Sequence, residues 1–113
     1  MKIKTELKGD IAVLAPKGSL VGGEETDELR TAVGQLIEKG NKKLIIDLSG
    51  VDYMNSTAIG ALVSAHTSYA NRDGSVILVG VNKKITNIFV VTKLSRIFQI
   101  EDDQIQAELS LTK

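Results

Sequence analysis

The stretch that most restricts what this chain can fold into is Leu44-Ile45-Ile46-Asp47-Leu48-Ser49-Gly50-Val51-Asp52-Tyr53-Met54-Asn55-Ser56-Thr57-Ala58-Ile59-Gly60. An apolar run gives way there to small hydroxyl residues and then to helical spacing. Leu44 to Leu48 is short, rich in β-branched residues and bounded by Gly40-Asn41 and Ser49-Gly50, which fits a strand buried on both faces of a sheet. From Thr57 the large apolar residues fall at Ile59, Leu62, Val63 and Tyr69, with Ala58, Ala61, Ala65 and Ala70 between them, close to a helical period. The segment therefore reads as strand, loop and helix. Asn55, Ser56 and Thr57 each carry a side chain able to accept a hydrogen bond from the free N–H groups of the first helical turn. By pattern alone Ser56 fits a plain N-cap.

Around this centre the rest of the chain falls into place. Ile3, Thr5 and Leu7 alternate with charged residues, and Ile11, Val13 and Ala15 resume the alternation after Gly9-Asp10. That pattern predicts an antiparallel hairpin with a two-residue primed turn, Gly supplying the positive φ. Pro16, the only proline, ends the second strand, and Gly18 to Gly23 reads as a flexible passage. Glu24, Glu25, Asp27 and Glu28 precede a buried stripe of Leu29, Val33, Leu36 and Ile37, so a helix with an acidic, dipole-matched first turn is expected, closing at Lys39-Gly40. Asn71-Arg72-Asp73-Gly74 signals a turn, Val76 to Val79 a second buried strand, and Lys83 to Leu94 a third amphipathic helix. Ile97, Phe98 and Ile100 suggest a last short strand. Over 103–111 the spacing of Ile105, Ala107, Leu109 and Leu111 is that of a strand. Strands joined by helices of these lengths imply one α/β domain over residues 1–113: a mixed β-sheet with an amino-terminal antiparallel hairpin, a parallel centre and helices mainly on one face.

Composition narrows the function classes. The 14 basic and 14 acidic side chains cancel, so nothing favours electrostatic capture of nucleic acid or of an anionic membrane. Without cysteine there is no thiolate nucleophile, disulfide or sulfur-ligated metal. No stretch approaches the ~20 apolar residues of a membrane span, and Met1-Lys2-Ile3-Lys4-Thr5 leads into alternation rather than an apolar leader, so a cytoplasmic protein is expected. A catalytic residue set is missing. The single His66 lies ten residues beyond Ser56, about 15 Å along a helix axis at about 1.5 Å per residue, too far to serve it as a base. There is no Gly-x-Ser-x-Gly elbow, no phosphate-binding Gly-x-x-x-x-Gly-Lys loop and no His-rich ligand set, and Gly22-Gly23 alone makes no phosphate cradle. The expectation is a binding protein with no catalytic residue, no cofactor and no metal.

Asp47-Leu48-Ser49-Gly50-Val51-Asp52-Tyr53-Met54-Asn55-Ser56-Thr57-Ala58-Ile59-Gly60-Ala61-Leu62 resembles the signature of STAS domains, in particular the bacterial anti-sigma factor antagonists, roughly D-L-S-x-V-x-[YF]-[MI]-D-S-[ST]-G-[LI]-G-x-L. The resemblance runs from the first hairpin through Gly18-Ser19-Leu20 to Leu94-Ser95-Arg96-Ile97-Phe98. It implies a STAS fold, with a helix at the carboxyl end where the local period reads as a strand, and a short helix with a frayed end is expected there. It implies a phosphorylation-controlled partner switch in which the unphosphorylated form binds an anti-sigma factor serine kinase and frees a sigma factor. The matching phospho-acceptor is Ser56, the matching partner surface Asn55, Ser56, Thr57, Ala58 and Gly60, and a phosphoserine phosphatase is the further partner. Asn55 stands where the family usually has Asp, and Ala58 where it usually has Gly. A neutral Asn55 would spare an incoming phosphate a like-charge neighbour. The alternative is a STAS scaffold subunit of a lipid-transport or sensory assembly that is never phosphorylated. Oligomeric state is left open by the sequence.

Overall fold

A computed structural model describes residues 3–21 and 23–112. The readings that involve Met1, Lys2 and Gly22 lie outside them. Strands β1 (Ile3–Lys8) and β2 (Ile11–Pro16) form the expected hairpin about Gly9-Asp10, with Gly9 at φ 63°. β2 then pairs in parallel with β4 (Lys43–Asp47), β4 with β6 (Ser75–Val79), and β6 with β7 (Gln99–Glu101). The resulting five-stranded sheet has the order β1-β2-β4-β6-β7, antiparallel only at the hairpin.

The passage from Gly18 is not irregular throughout. β3 (Gly18–Leu20) pairs in parallel with β5 (Val51–Met54), which occupies the segment expected to be loop, and the two form a separate small sheet. Helices α1 (Gly23–Glu38), α2 (Ser56–Ala70) and α3 (Lys83–Val91) pack on one face of the main sheet, where Leu14, Leu44, Ile46 and Leu78 meet Leu29, Leu62, Tyr69 and Phe89. α4 (Gln104–Leu111) covers the other face alone, with Ala107 and Leu111 against Ile11, Val13, Ile45 and Ile77. Three helices against one is the expected asymmetry.

α3 ends earlier than the sequence suggests. Thr92 closes it, its hydroxyl donating to the Ile88 carbonyl at 2.7 Å, Lys93 turns left-handed at φ 64°, and a short 3₁₀ turn follows over Leu94–Arg96. Phe98, expected in the last strand, is instead buried against Phe89 with ring centroids 5.2 Å apart. Tyr69, at the end of α2, donates its hydroxyl to Asn41 Oδ1 at 2.7 Å, and burial pushes its phenol up to about 12.

Candidate functional site

The start of α2 is built by Asn55, not by Ser56. Asn55 takes extended backbone angles, and its Oδ1 accepts from the Ala58 N–H at 3.0 Å. This is the N-cap geometry, in which a side-chain oxygen satisfies one of the four N–H groups a helix leaves open. Every other polar group of Asn55 is also used. Its N–H donates to the Leu20 carbonyl at 2.9 Å, its carbonyl accepts from Ile59 at 3.0 Å, and its Nδ2 donates to the Val21 carbonyl. One residue thus joins the end of β3 to the start of α2. The N-cap role that the pattern allowed Ser56 is corrected accordingly.

Ser56 becomes the first residue of the helix. Its side chain is exposed, and its hydroxyl has no structural duty among the described hydrogen bonds. Thr57 is exposed beside it, and Gly60 lies one turn further with open space where a Cβ would stand. Ala58 is different. It is 0% exposed and packs in the main core, so its methyl group holds the helix to the sheet and presents nothing to a partner. Of the five residues expected at the surface, the structure brings Ser56, Thr57 and Gly60 to one exposed helix start, places Asn55 beneath them as the cap, and turns Ala58 inward.

Two exposed apolar residues flank this patch, and sequence reasoning passed over both. Val21 is 52% exposed and directly follows β3, and its carbonyl is the one held by Asn55. Tyr53 on β5 is 41% exposed, two residues before the cap. The available signal was a tyrosine between the buried Val51 and Met54, obscured because β5 was not read as a strand. β5 itself is fixed from the other side by Asn82, the N-cap of α3, whose Nδ2 donates to the carbonyls of Val51 at 3.2 Å and Asp52 at 3.3 Å.

The remaining candidates lie apart from this patch. His66 is half-buried on α2, its ring edge-on to Phe98 at 6.2 Å and 80°. The acidic cluster at the start of α1 stays on the surface except for the partly covered Glu25 and Glu28. Among the described residues no group of three or more His, Cys, Asp or Glu is arranged to hold a metal, and no helix is long and apolar enough to cross a membrane.

Comparison with known proteins matches this chain and its fold to one family. The STAS domain model fits residues 2–107. The anti-sigma-B factor antagonist of Listeria monocytogenes is 37% identical over 59 residues, 52% of this chain and 52% of the relative. The chain thus aligns with about half the length of that relative. The anti-sigma-B factor antagonist of Staphylococcus aureus is 26% identical over 86 residues, 73% of this chain and 80% of the relative. Among solved structures, a candidate anti-sigma factor antagonist from Thermotoga maritima superposes with a TM-score of 0.92 at 25% identity, covering 98% of this chain and 95% of that one. SpoIIAA in its unphosphorylated form gives a TM-score of 0.76 at 14% identity, covering 96% of each chain. The phosphorylated form of SpoIIAA gives 0.78 at 15%, covering 99% of this chain and 100% of that one, so these two share the fold alone. With the family model spanning nearly the whole chain and the fold superposing at a TM-score of 0.92, this protein belongs to the STAS domain family.

Proposed function

We propose that this protein is an anti-sigma factor antagonist working as a partner switch. In its unphosphorylated form it binds an anti-sigma factor serine kinase and so frees a sigma factor. Phosphorylation of Ser56 ends that binding, and a phosphoserine phosphatase resets it. The observation that carries the reading is the division of labour at the start of α2: Asn55 does the capping, leaving the Ser56 hydroxyl exposed. A modifying enzyme reaches that hydroxyl without breaking a bond the fold depends on. The names of the relatives support the antagonist role, and the phosphorylated form of SpoIIAA has the same fold as this chain.

The electrostatics favour a surface event. A phosphate adds about −1.5 to −2 charges, and at Ser56 it would meet the first-turn N–H groups and positive end of α2, an environment suited to an anion. The fold survives, but the surface does not stay the same. A partner seated closely on Ser56, Thr57 and Gly60, with Val21 and Tyr53 at its sides, would have to desolvate the new charge without a counter-ion in place. A penalty of about 3 kcal/mol weakens binding roughly a hundredfold.

Incubation with an anti-sigma factor kinase, Mg²⁺ and ATP, followed by phosphopeptide mapping, is expected to place a single phosphate on Ser56 and none on Ser56→Ala. Titration calorimetry should then show the phosphorylated protein binding the kinase about a hundredfold more weakly than the free form. A phosphate on another residue, or equal affinities, removes the switch.

A further inference from the structure

β1 forms one edge of the main sheet. Sheet edges are usually blunted by a bulge, by proline, by a covering segment or by charged side chains, and β1 carries such charges at Lys4, Glu6 and Lys8. This one runs in unbroken register from Ile3 opposite Pro16 to Lys8 opposite Ile11, and carries no proline. The turn at Gly9-Asp10 is closed between Lys8 and Ile11. In an antiparallel ladder the bonded and non-bonded pairs alternate, so Lys4, Glu6 and Lys8 direct their main-chain groups to β2. Ile3, Thr5 and Leu7 direct theirs outward, to the open edge. The side chains of those three lie on the α1 face, opposite Pro16, Leu14 and Ala12, and Leu7 is 62% exposed.

We propose that this edge pairs with the same edge of a second copy of the chain, antiparallel about a dyad through Thr5. In that register Ile3 faces the partner's Leu7, Leu7 faces the partner's Ile3, and Thr5 faces the partner's Thr5. All three are positions with outward main-chain groups, so each pair exchanges both of its backbone hydrogen bonds. On the other face Lys4 stands opposite the partner's Glu6, and Glu6 opposite the partner's Lys4, in the pairs whose side chains approach most closely. Neither residue has an ion-pair partner of its own among the described residues, whereas Lys8 is drawn to Glu108 at 3.5 Å.

Charge selects this register over its neighbours. A dyad at Glu6 sets the two glutamates against each other, and a dyad at Lys4 does the same with the lysines. A dyad at Leu7 shortens the pairing to the strand's end and calls on Lys8, which Glu108 already holds. A shift by one residue would bring inward-bonded positions to the edge.

The two grooves along β1 repeat the same self-complementarity. Beside Ile3 and Thr5 an open groove of about 410 Å³ is lined by Glu24, Asp27 and Glu28. Beside Leu7 a second, of about 480 Å³, is lined by Lys39 and Lys42, with Lys43 already paired to Asp10 at 2.9 Å. The dyad through Thr5 sets the acidic end of each copy next to the basic end of the other and carries each Leu7 toward the partner's Ile3. Ser56 lies on α2, away from this edge strand, so pairing is expected with or without a phosphate there.

Sedimentation equilibrium on the full chain is expected to show a monomer–dimer equilibrium half-complete on the order of 0.1 mM, as suits a small interface. Hydrogen exchange should gain protection with concentration at the amides of Ile3, Thr5 and Leu7, and not at Lys4 or Glu6. Thr5→Pro removes a donor the monomer's ladder does not use, and should weaken association at least tenfold while circular dichroism stays unchanged. Lys4→Glu and Glu6→Lys should each weaken it about tenfold, and the two together should restore it to within about threefold of wild type. A chain that stays monomeric at about 1 mM, a dimer indifferent to Thr5→Pro, or a charge exchange that fails to restore pairing would overturn the proposal. So would an edge that pairs only with a foreign extended peptide.

Discussion

α2 and α3 begin in the same way and present opposite chemistry. Each is capped by an asparagine whose Oδ1 accepts from the N–H three residues on, Asn55 from Ala58 at 3.0 Å and Asn82 from Ile85 at 2.8 Å. Each asparagine spends its amide donor on the small β3–β5 sheet, Asn55 on the carbonyl after β3 and Asn82 on two carbonyls of β5. Yet α2 opens with Ser56 and Thr57, uncharged and small, while α3 opens with Lys83 and Lys84, both exposed at the positive end of a helix. An aspartate would cap equally well but carries no donor. The comparison teaches that the amide, rather than the cap alone, is what these positions require, and that α2 opens on exposed hydroxyls to which a phosphate can be attached whereas α3 opens on two lysines.

The comparison breaks most easily at the caps themselves. Asn55→Ala and Asn82→Ala each remove a cap and a tie to the small sheet, and each is expected to cost about 2 kcal/mol in urea unfolding. If one is nearly silent, the two starts are not equivalent. A smaller effect separates cap from tie. Asn55→Asp and Asn82→Asp keep the cap and gain from the helix dipole, but lose the donor and set a carboxylate against a carbonyl, for a net loss of about 1 kcal/mol. Asn55, expected from the sequence to spare an incoming phosphate a like-charge neighbour, is thus also a residue on which the free fold depends. The smallest effects concern charge. Lys83→Glu should raise the thermal midpoint of α3's end of the molecule by the equivalent of about 0.5 kcal/mol. Ser56→Ala, relieved of any capping duty, should fall within about 0.5 kcal/mol of wild type.

What could be read in advance, and what could not, follows from the range of the interactions. The hairpin and the central strands announce themselves through alternation and apolar runs, which are local. β3 and β5 have three and four residues with burial patterns that follow no period, and they exist because they pair with each other across more than thirty residues of chain. Three successive residues could have capped α2, and the choice fell to Asn55 because Val21, far away in sequence, offers a carbonyl to its amide. At the carboxyl end the strand-like spacing misleads. Asp103 caps a helix by accepting from Gln106 at 2.9 Å, Ala107 and Leu111 face the sheet one turn apart, and Ile105 and Leu109 point outward, giving alternation without a strand. The Ser56 patch was legible from its motif. The inward turn of Ala58 was not, since its small side chain fits a contact surface and a tight core equally well.

The unequal covering of the sheet divides the molecule into two levels of cohesion. α4 closes its face through Ala107 and Leu111, with the exposed Lys8–Glu108 pair at its flank, whereas the opposite face is sealed by three helices and both aromatic rings of Phe89 and Phe98. α4 is therefore able to lift away as a unit while the larger core stays shut, a sub-global opening far less costly than complete unfolding. Such an event bares Ile45, Ile77 and Val79, a β-branched stripe in the middle of the parallel strands, and leaves the small β3–β5 sheet and the start of α2 undisturbed.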